Sequence, residues 1–212
     1  MNILEKEINA CKELQQKLEK KSLELEKELD IDSTEIPIVA LNHIHNFIMI
    51  TTEVMELYRP LVEKIEGPLA ARRLFEFTHR IAEVQKMMLI ESLSAFEYIS
   101  KKYLAAYPHV LGKIADKWVH LWDIMKKSNE KKIISDEQFE LWVGVNNLRR
   151  FIIHNNTQSD ITKEYAYPNL TLSFKENETA VRGLGVFSQL LDWIIDAIVE
   201  WILAIESKKD NI

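Results

Sequence analysis

LLDWIIDAIVEWILAIE, residues 190 to 206, is the stretch on which the fold turns. It is apolar enough to invite a membrane reading, yet Asp192, Asp196 and Glu200 recur at four-residue intervals and so share one helical face. Burying each carboxylate in hydrocarbon would cost roughly 2.5 to 3.5 kcal/mol on insertion scales. A helix packed inside a protein, with one acidic stripe, is far cheaper. The stretch therefore predicts a long closing helix over about 186 to 207 in a soluble, non-membrane protein.

The rest of the chain agrees with a helical bundle. Of 212 residues, 47% are hydrophobic and 28% charged, the profile of a folded domain. Five glycines and five prolines are too few for a protein built of many tight turns. The net charge of -6 argues against a general polyanion binder, though not against a local basic pocket. Cys11 is the single cysteine, so neither an intrachain disulfide nor a cysteine-rich metal site can form, and a cytoplasmic setting is the simplest expectation. The charged start, MNILEKEINACKELQQ, is unlike a secretion signal.

At the N-terminus, Leu4, Ile8, Cys11, Leu14, Leu18, Leu25 and Leu29 form a narrow apolar stripe on an otherwise Lys, Glu and Gln helix. Such a helix suits a coiled coil or a resting place along another unit. Residues 31 to 37 break it, giving an N-terminal helical unit, 1 to 36, and a bundle, 37 to 212. Within the bundle, long helices are expected over 38 to 66, with Pro60 a kink or break, and over 69 to 102. A shorter helix follows over 110 to 127. Ser135 and Gln138 then form a capping box at the head of DEQFELWVGVNNLRRFIIH. In the insert at about 160 to 184, LTLSF alternates, KENE reads as a turn and TAVR as a returning strand, which predicts a small β-hairpin. The fold class is all-α: four or five bundle helices, the added N-terminal helix and this hairpin. Phosphate-binding glycine signatures are absent from the sequence.

NLRRFIIHNN, residues 147 to 156, carries the chemistry. Arg150 and His154, four apart, share a helical face, and Asn147 joins them; Arg149 points about 140° away from His154 on an unbroken helix. Histidine exchanges protons near neutrality, arginine offers a fork of donors to phosphoryl oxygens, and Asn147 and Asn155 can orient substrate without adding charge. A single histidine gives an acid or a base, not both, so a second copy across a dimer axis would complete the pair. The bland reading is that the dipole favours arginine, and histidine caps carbonyls, at a helix C-terminus.

This motif, at the end of a bundle helix and followed by a polar loop and one last helix, resembles the HEPN superfamily of small all-helical domains. The resemblance spans about residues 38 to 207 but rests on about ten of them. Arg149 matches the family's arginine, His154 its histidine, and Phe151, Ile152 and Ile153 the apolar spacer. Arg150 stands where the family often has a polar residue, commonly asparagine. The resemblance implies a metal-independent endoribonuclease of a toxin–antitoxin or antiviral type, acting as a homodimer with RNA as substrate and no cofactor. Arg149 and His154 would be catalytic, with Arg150, Asn147 and Asn155 holding substrate. It equally admits a non-catalytic binding or assembly module whose Arg/His cluster supports a dimer. The N-terminal helix lies outside the minimal family bundle and would suit a protein partner such as an antitoxin.

Three other features have plain structural readings. His43 and His45 in NHIHN face different ways on a helix and make a poor metal pair. Arg72, Arg73, His79 and Arg80 form the most basic patch, either an RNA-facing surface or a salt-bridged solvent face. Asp192, Asp196 and Glu200 are possible partners for Arg149 or Arg150, and most aromatic residues belong to the core.

Overall fold

A computed structural model describes residues 3–112, 119–154, 156–181 and 183–209. Among these residues lie α1 (Ile3–Leu29), α2 (Ile36–Glu63), α3 (Ala70–Ala106), α4 (Pro108–Leu111), α5 (Leu121–Glu130) and α6 (Asp136–His154). A two-stranded hairpin, β1 (Lys163–Tyr167) and β2 (Leu170–Phe174), precedes α7 (Val186–Glu206). The fold is an all-helical bundle with an N-terminal helix and a small antiparallel hairpin before the last helix. No helix among the described residues is long and apolar enough to cross a membrane.

The apolar stripe of α1 is used within its own chain. Leu4, Ile8, Cys11, Leu14, Leu18 and Leu25 are all buried, against α2 along most of the helix and against α7. Polar contacts then fix the register. Lys17 Nζ donates to Asp192 Oδ1 at 2.6 Å, to the Asp192 carbonyl at 2.7 Å and to Asp196 Oδ2 at 2.7 Å, while Lys21 lies 3.4 Å from Asp196. Glu200 accepts from Gln138 Nε2 at 2.8 Å. The acidic stripe of α7 thus finds its partners on α1 and α6, and neither Arg149 nor Arg150 is among them. The reason is topological: α1 lies along the acidic face of α7, whose other faces are buried in the core.

The hairpin of α2 and α3 is buried only over its base. Its last buried residue on α2 is Met55 and its first on α3 is Ile81, and nothing from 56 to 80 is buried. Pro60 sits inside α2 without ending it. At the base, Phe96 stacks on Trp142 with centroids 5.3 Å apart and meets Trp201 edge-on at 5.5 Å. Trp201 Nε1 donates to the buried Ser128 hydroxyl at 2.9 Å, so this aromatic cluster has its polar edge satisfied.

Two expectations need correction. The helix expected over 110 to 127 is not one continuous element. Gly112 leaves α4 at φ 78°, and α5 begins afresh after His120, whose extended backbone and capping box with Asp123 mark a true helix start. Residues 113–118, part of that expected helix, lie outside the described residues. The hairpin is also shifted. LTLSF pairs with KEYAY before it, Lys163 opposite Phe174 and Tyr167 opposite Leu170, rather than with TAVR after it. The tight connection is Pro168-Asn169, and inward-facing Tyr165 and Tyr167 meet inward-facing Leu172 and Phe174. Thr179, in the segment taken for the second strand, forms an isolated bridge with Gln158 instead.

The hairpin docks on α6 because of Gly144. A β-carbon there would stand 2.6 Å from Tyr167 Oη and 2.8 Å from Tyr165 Cγ. Without it the two tyrosines seat against the helix, and Tyr167 donates to the Leu141 carbonyl at 2.6 Å.

Candidate functional site

α6 starts as the sequence reading expects. The Ser135 N–H donates to Gln138 Oε1 and the Gln138 N–H to Ser135 Oγ, both at 3.0 Å. It then runs unbroken to His154. The exit is a left-handed pair, Asn156 at φ 48° and Thr157 at φ 67°. Asparagine tolerates this backbone; threonine, being β-branched, does not do so readily. Thr157 is held there by its N–H donating to the Phe151 carbonyl and its own carbonyl accepting from Ala180, both at 2.8 Å.

That regular helix distributes the motif over different sides. Arg149 faces α3, where its Nη1 donates to Glu97 Oε2 at 3.0 Å; the other oxygen of Glu97 accepts from Lys101 Nζ at 2.6 Å. Burial pushes the Glu97 carboxyl up, but Lys101 and Arg149 outweigh it and hold the group below its ordinary value. One carboxylate between two cations leaves this trio with a positive excess on a half-buried surface. Arg150 turns outward and forms a two-pronged ion pair with Asp160, at 2.8 and 2.7 Å, with its guanidinium 4.9 Å from the Phe151 ring. The Asn147 amide is engaged by the hairpin, donating to Tyr165 Oη at 3.0 Å. Asn155 lies outside the described residues.

His154 is different. It is exposed at the last turn of α6 and has no hydrogen bond or ion pair with another described residue. Just beyond it, Asn156 and Thr157 form one wall of an open, mixed groove of about 670 Å³, lined also by Phe75, His79, Glu83 and Lys86 of α3 and by Leu184 and Phe187. The imidazole that lines this groove is that of His79, and His154 is not among its lining residues. Arg149 lies about 140° around the helix from His154. The fold groups Arg149 with Glu97 and Lys101, and Arg150 with Asp160, but brings neither Arg149 nor Asn147 to His154.

No family model, curated protein or solved structure matches this chain. The site therefore stands on its own geometry.

Glu97, Lys101, Asp160 and Tyr165 are the residues that sequence reasoning missed. Glu97 and Lys101 are an ordinary i,i+4 pair in the sequence, and only the packing of α3 on α6 gives them Arg149. The remaining features are quiet. His43 packs edge-on against Phe47 at 4.9 Å, and His45 lies 3.3 Å from Glu19. Arg72 pairs with Glu76 at 3.2 Å on an open helix surface, in keeping with a solvated face. Trp122 and Phe139 stack at 5.2 Å between α5 and α6, a packing contact.

Proposed function

We propose that this chain is a HEPN-like helical bundle that cleaves RNA without a metal, as a cytoplasmic homodimer of the toxin or antiviral-defence type. The observation that carries the reading is the state of His154: exposed at the last turn of α6 and unengaged among the described residues. In the reaction, His154 takes the proton of a ribose 2'-hydroxyl or gives one to the departing 5'-oxygen. The 2'-oxygen attacks phosphorus, the bond to the 5'-oxygen breaks, and a cyclic phosphate and a 5'-hydroxyl remain. Arg149, with Lys101 beside it, supplies positive charge for the phosphoryl oxygens from a second copy, since its own side of the helix is turned away from its own His154. Arg150 binds substrate by exchanging Asp160 for phosphate, a small cost because exposed ion pairs are worth only about 0 to 1 kcal/mol.

The test is RNA cleavage in EDTA by the wild type beside His154→Ala, with the product ends identified. Loss of roughly 100-fold or more of the activity in the variant is expected, the usual scale of acid–base catalysis. Equal cutting by both proteins would dispose of the mechanism.

A second reading has its own support. Both arginines are already paired with carboxylates of the same chain, Glu97 and Asp160, as in an assembly or binding module. On this reading the Arg/His cluster supports a dimer, the wild type cuts no RNA, and alanine substitutions in the cluster weaken the dimer or its stability.

A further inference from the structure

Where the head of α2, the last turns of α3 and the end of α7 meet, they leave a cavity of about 140 Å³. No residue of α6 lines it, so it is separate from the site around His154. Its walls are held from behind. Tyr103 is only 5% exposed, with its ring edge-on to Trp201 of the core at 5.8 Å and tilted against Tyr107 at 5.7 Å. Pro37 is buried in the first turn of α2. Just past α7, the Lys209 carbonyl accepts from His109 Nε2 at 2.9 Å, which ties this end of the chain to α4. A site whose walls are already in place loses little to reorganisation when a ligand enters.

The sides are largely apolar: Ile31, Ile36, Pro37 and Ala106, with the rings of Tyr103 and Tyr107 beside them. Four charged residues line the same space, two of each sign, Glu35 and Glu206 against Lys102 and Lys209. One pair is satisfied internally. Glu206, its side chain 11% exposed, lies 2.7 Å from Lys209 Nζ. The same carboxylate faces the Tyr103 hydroxyl, whose pKa is pushed up by burial first and by its hydrogen bond to Glu206 second.

The other pair is open. Glu35 stands at the N-cap of α2 but makes no capping bond with its side chain. It forms no ion pair with Lys102 or with any other described residue. The Lys102 ammonium has only the Tyr98 ring, 5.3 Å away, as a partner among the described residues. One carboxylate and one ammonium, both unpaired, thus border a single small apolar space. A ligand of either net charge would leave one of them unanswered, whereas a zwitterion answers both.

We propose that this cavity binds a free amino acid with an apolar side chain. The ligand's ammonium donates to the Glu35 carboxylate, its carboxylate accepts from Lys102 Nζ, and its side chain lies among Ile31, Ile36, Pro37 and Ala106. Size agrees with this class. At roughly 10 to 15 Å³ for each water-sized occupant, the cavity has room for on the order of ten non-hydrogen atoms. Leucine, methionine and phenylalanine are of that size, and a nucleotide is far larger. The proposal does not rest on RNA cleavage, since neither the cavity nor its open charges include a residue assigned to that chemistry.

Calorimetric titration of the full chain with leucine, methionine and phenylalanine is the test. At least one is expected to bind with a dissociation constant of about 1 mM or below, in the range of a well-fitted ligand this small. The carboxamide of that amino acid lacks the carboxylate, and its desamino analogue lacks the ammonium. Each analogue should bind at least about tenfold more weakly, the scale of losing one bond to a charged group. Lys102→Met should weaken the amino acid by a similar factor and erase its advantage over the carboxamide. Glu35→Gln should erase its advantage over the desamino analogue, a pairing of variant with analogue that a merely structural role does not give. Ala106→Leu should block binding with both charges kept. No binding by any of the three up to about tenfold above that concentration, analogues that bind as well as the parent, or variants that bind like the wild type overturns the proposal. RNA cleavage, present or absent, bears only on the function proposed for α6.

Discussion

α1 and α2 carry the same kind of pattern and meet different fates. Each has an apolar seam at heptad-like spacing on a helix of almost equal length. On α1 the seam is buried and sealed by Lys17 against Asp192 and Asp196. On α2 one seam is buried, while Ile50, Leu57 and Leu61 on another side stand exposed. Periodicity shows that a helix has an apolar face; it does not show whether the same chain supplies the cover. That is set by which helices lie alongside, and here α1 and α7 are spent on one side of α2 and α3.

The sharpest way to break this contrast is substitution along the two seams. Leu18→Ala, in the buried α1 seam, should cost about 2 to 5 kcal/mol in urea unfolding, as large-to-small core changes do. An effect below 1 kcal/mol would mean that α1 is only loosely laid on the bundle. The same change at Leu57 removes an exposed side chain and should move protomer stability by no more than about 0.5 kcal/mol. Between these extremes lies Gly144→Ala. Helix propensity alone predicts a gain of about 1 kcal/mol, whereas a β-carbon at 2.8 Å from Tyr165 Cγ predicts overpacking of about 1 to 3 kcal/mol. A net loss in thermal unfolding, with the tyrosine environment altered in near-ultraviolet circular dichroism, is expected.

Acid provides a finer test on α6. Glu97 has a folded-state pKa below its ordinary value, so its contribution to stability is complete above pH 4.5 and is lost as pH falls through the lowered value. Glu97→Gln should therefore flatten the acid limb of the stability curve. An unchanged acid limb would show that Arg149 and Lys101 do not depend on this carboxylate. The smallest effect concerns Cys11, whose thiol is pushed up to about 12, chiefly by burial. It should resist thiol reagents at neutral pH until α1 leaves the bundle, and rapid labelling of the native protein would contradict a sealed seam.

Much of this architecture was legible in the sequence, and what was not has identifiable causes. α6 and its capping box were readable because Ser135 and Gln138 are three apart and their bonds are local. The closing helix was readable because its carboxylates are periodic. The partner of LTLSF was misassigned because KENE is a fair turn, and the competing Pro168-Asn169 turn wins through tyrosines that need the notch at Gly144. The charge partners were illegible for another reason: Arg149 to Glu97 and Lys17 to Asp192 join residues far apart in the chain. His154 was legible as a residue type, and its exposed position follows from its place in the last turn of α6.

The clasp between α1 and α7 also has a consequence for the birth of the molecule. Lys17 and Asp192 are 175 residues apart, which at about 5 to 20 residues per second means roughly ten seconds to half a minute of synthesis between them. Throughout that interval α1 has been made but has only part of its final cover. Its Lys and Glu positions, solvated from the start, keep the waiting segment soluble, while its leucines are held in reserve. α1 is therefore completed only after α7 emerges, so a chain interrupted between them is left with an open flank that quality-control machinery can recognise.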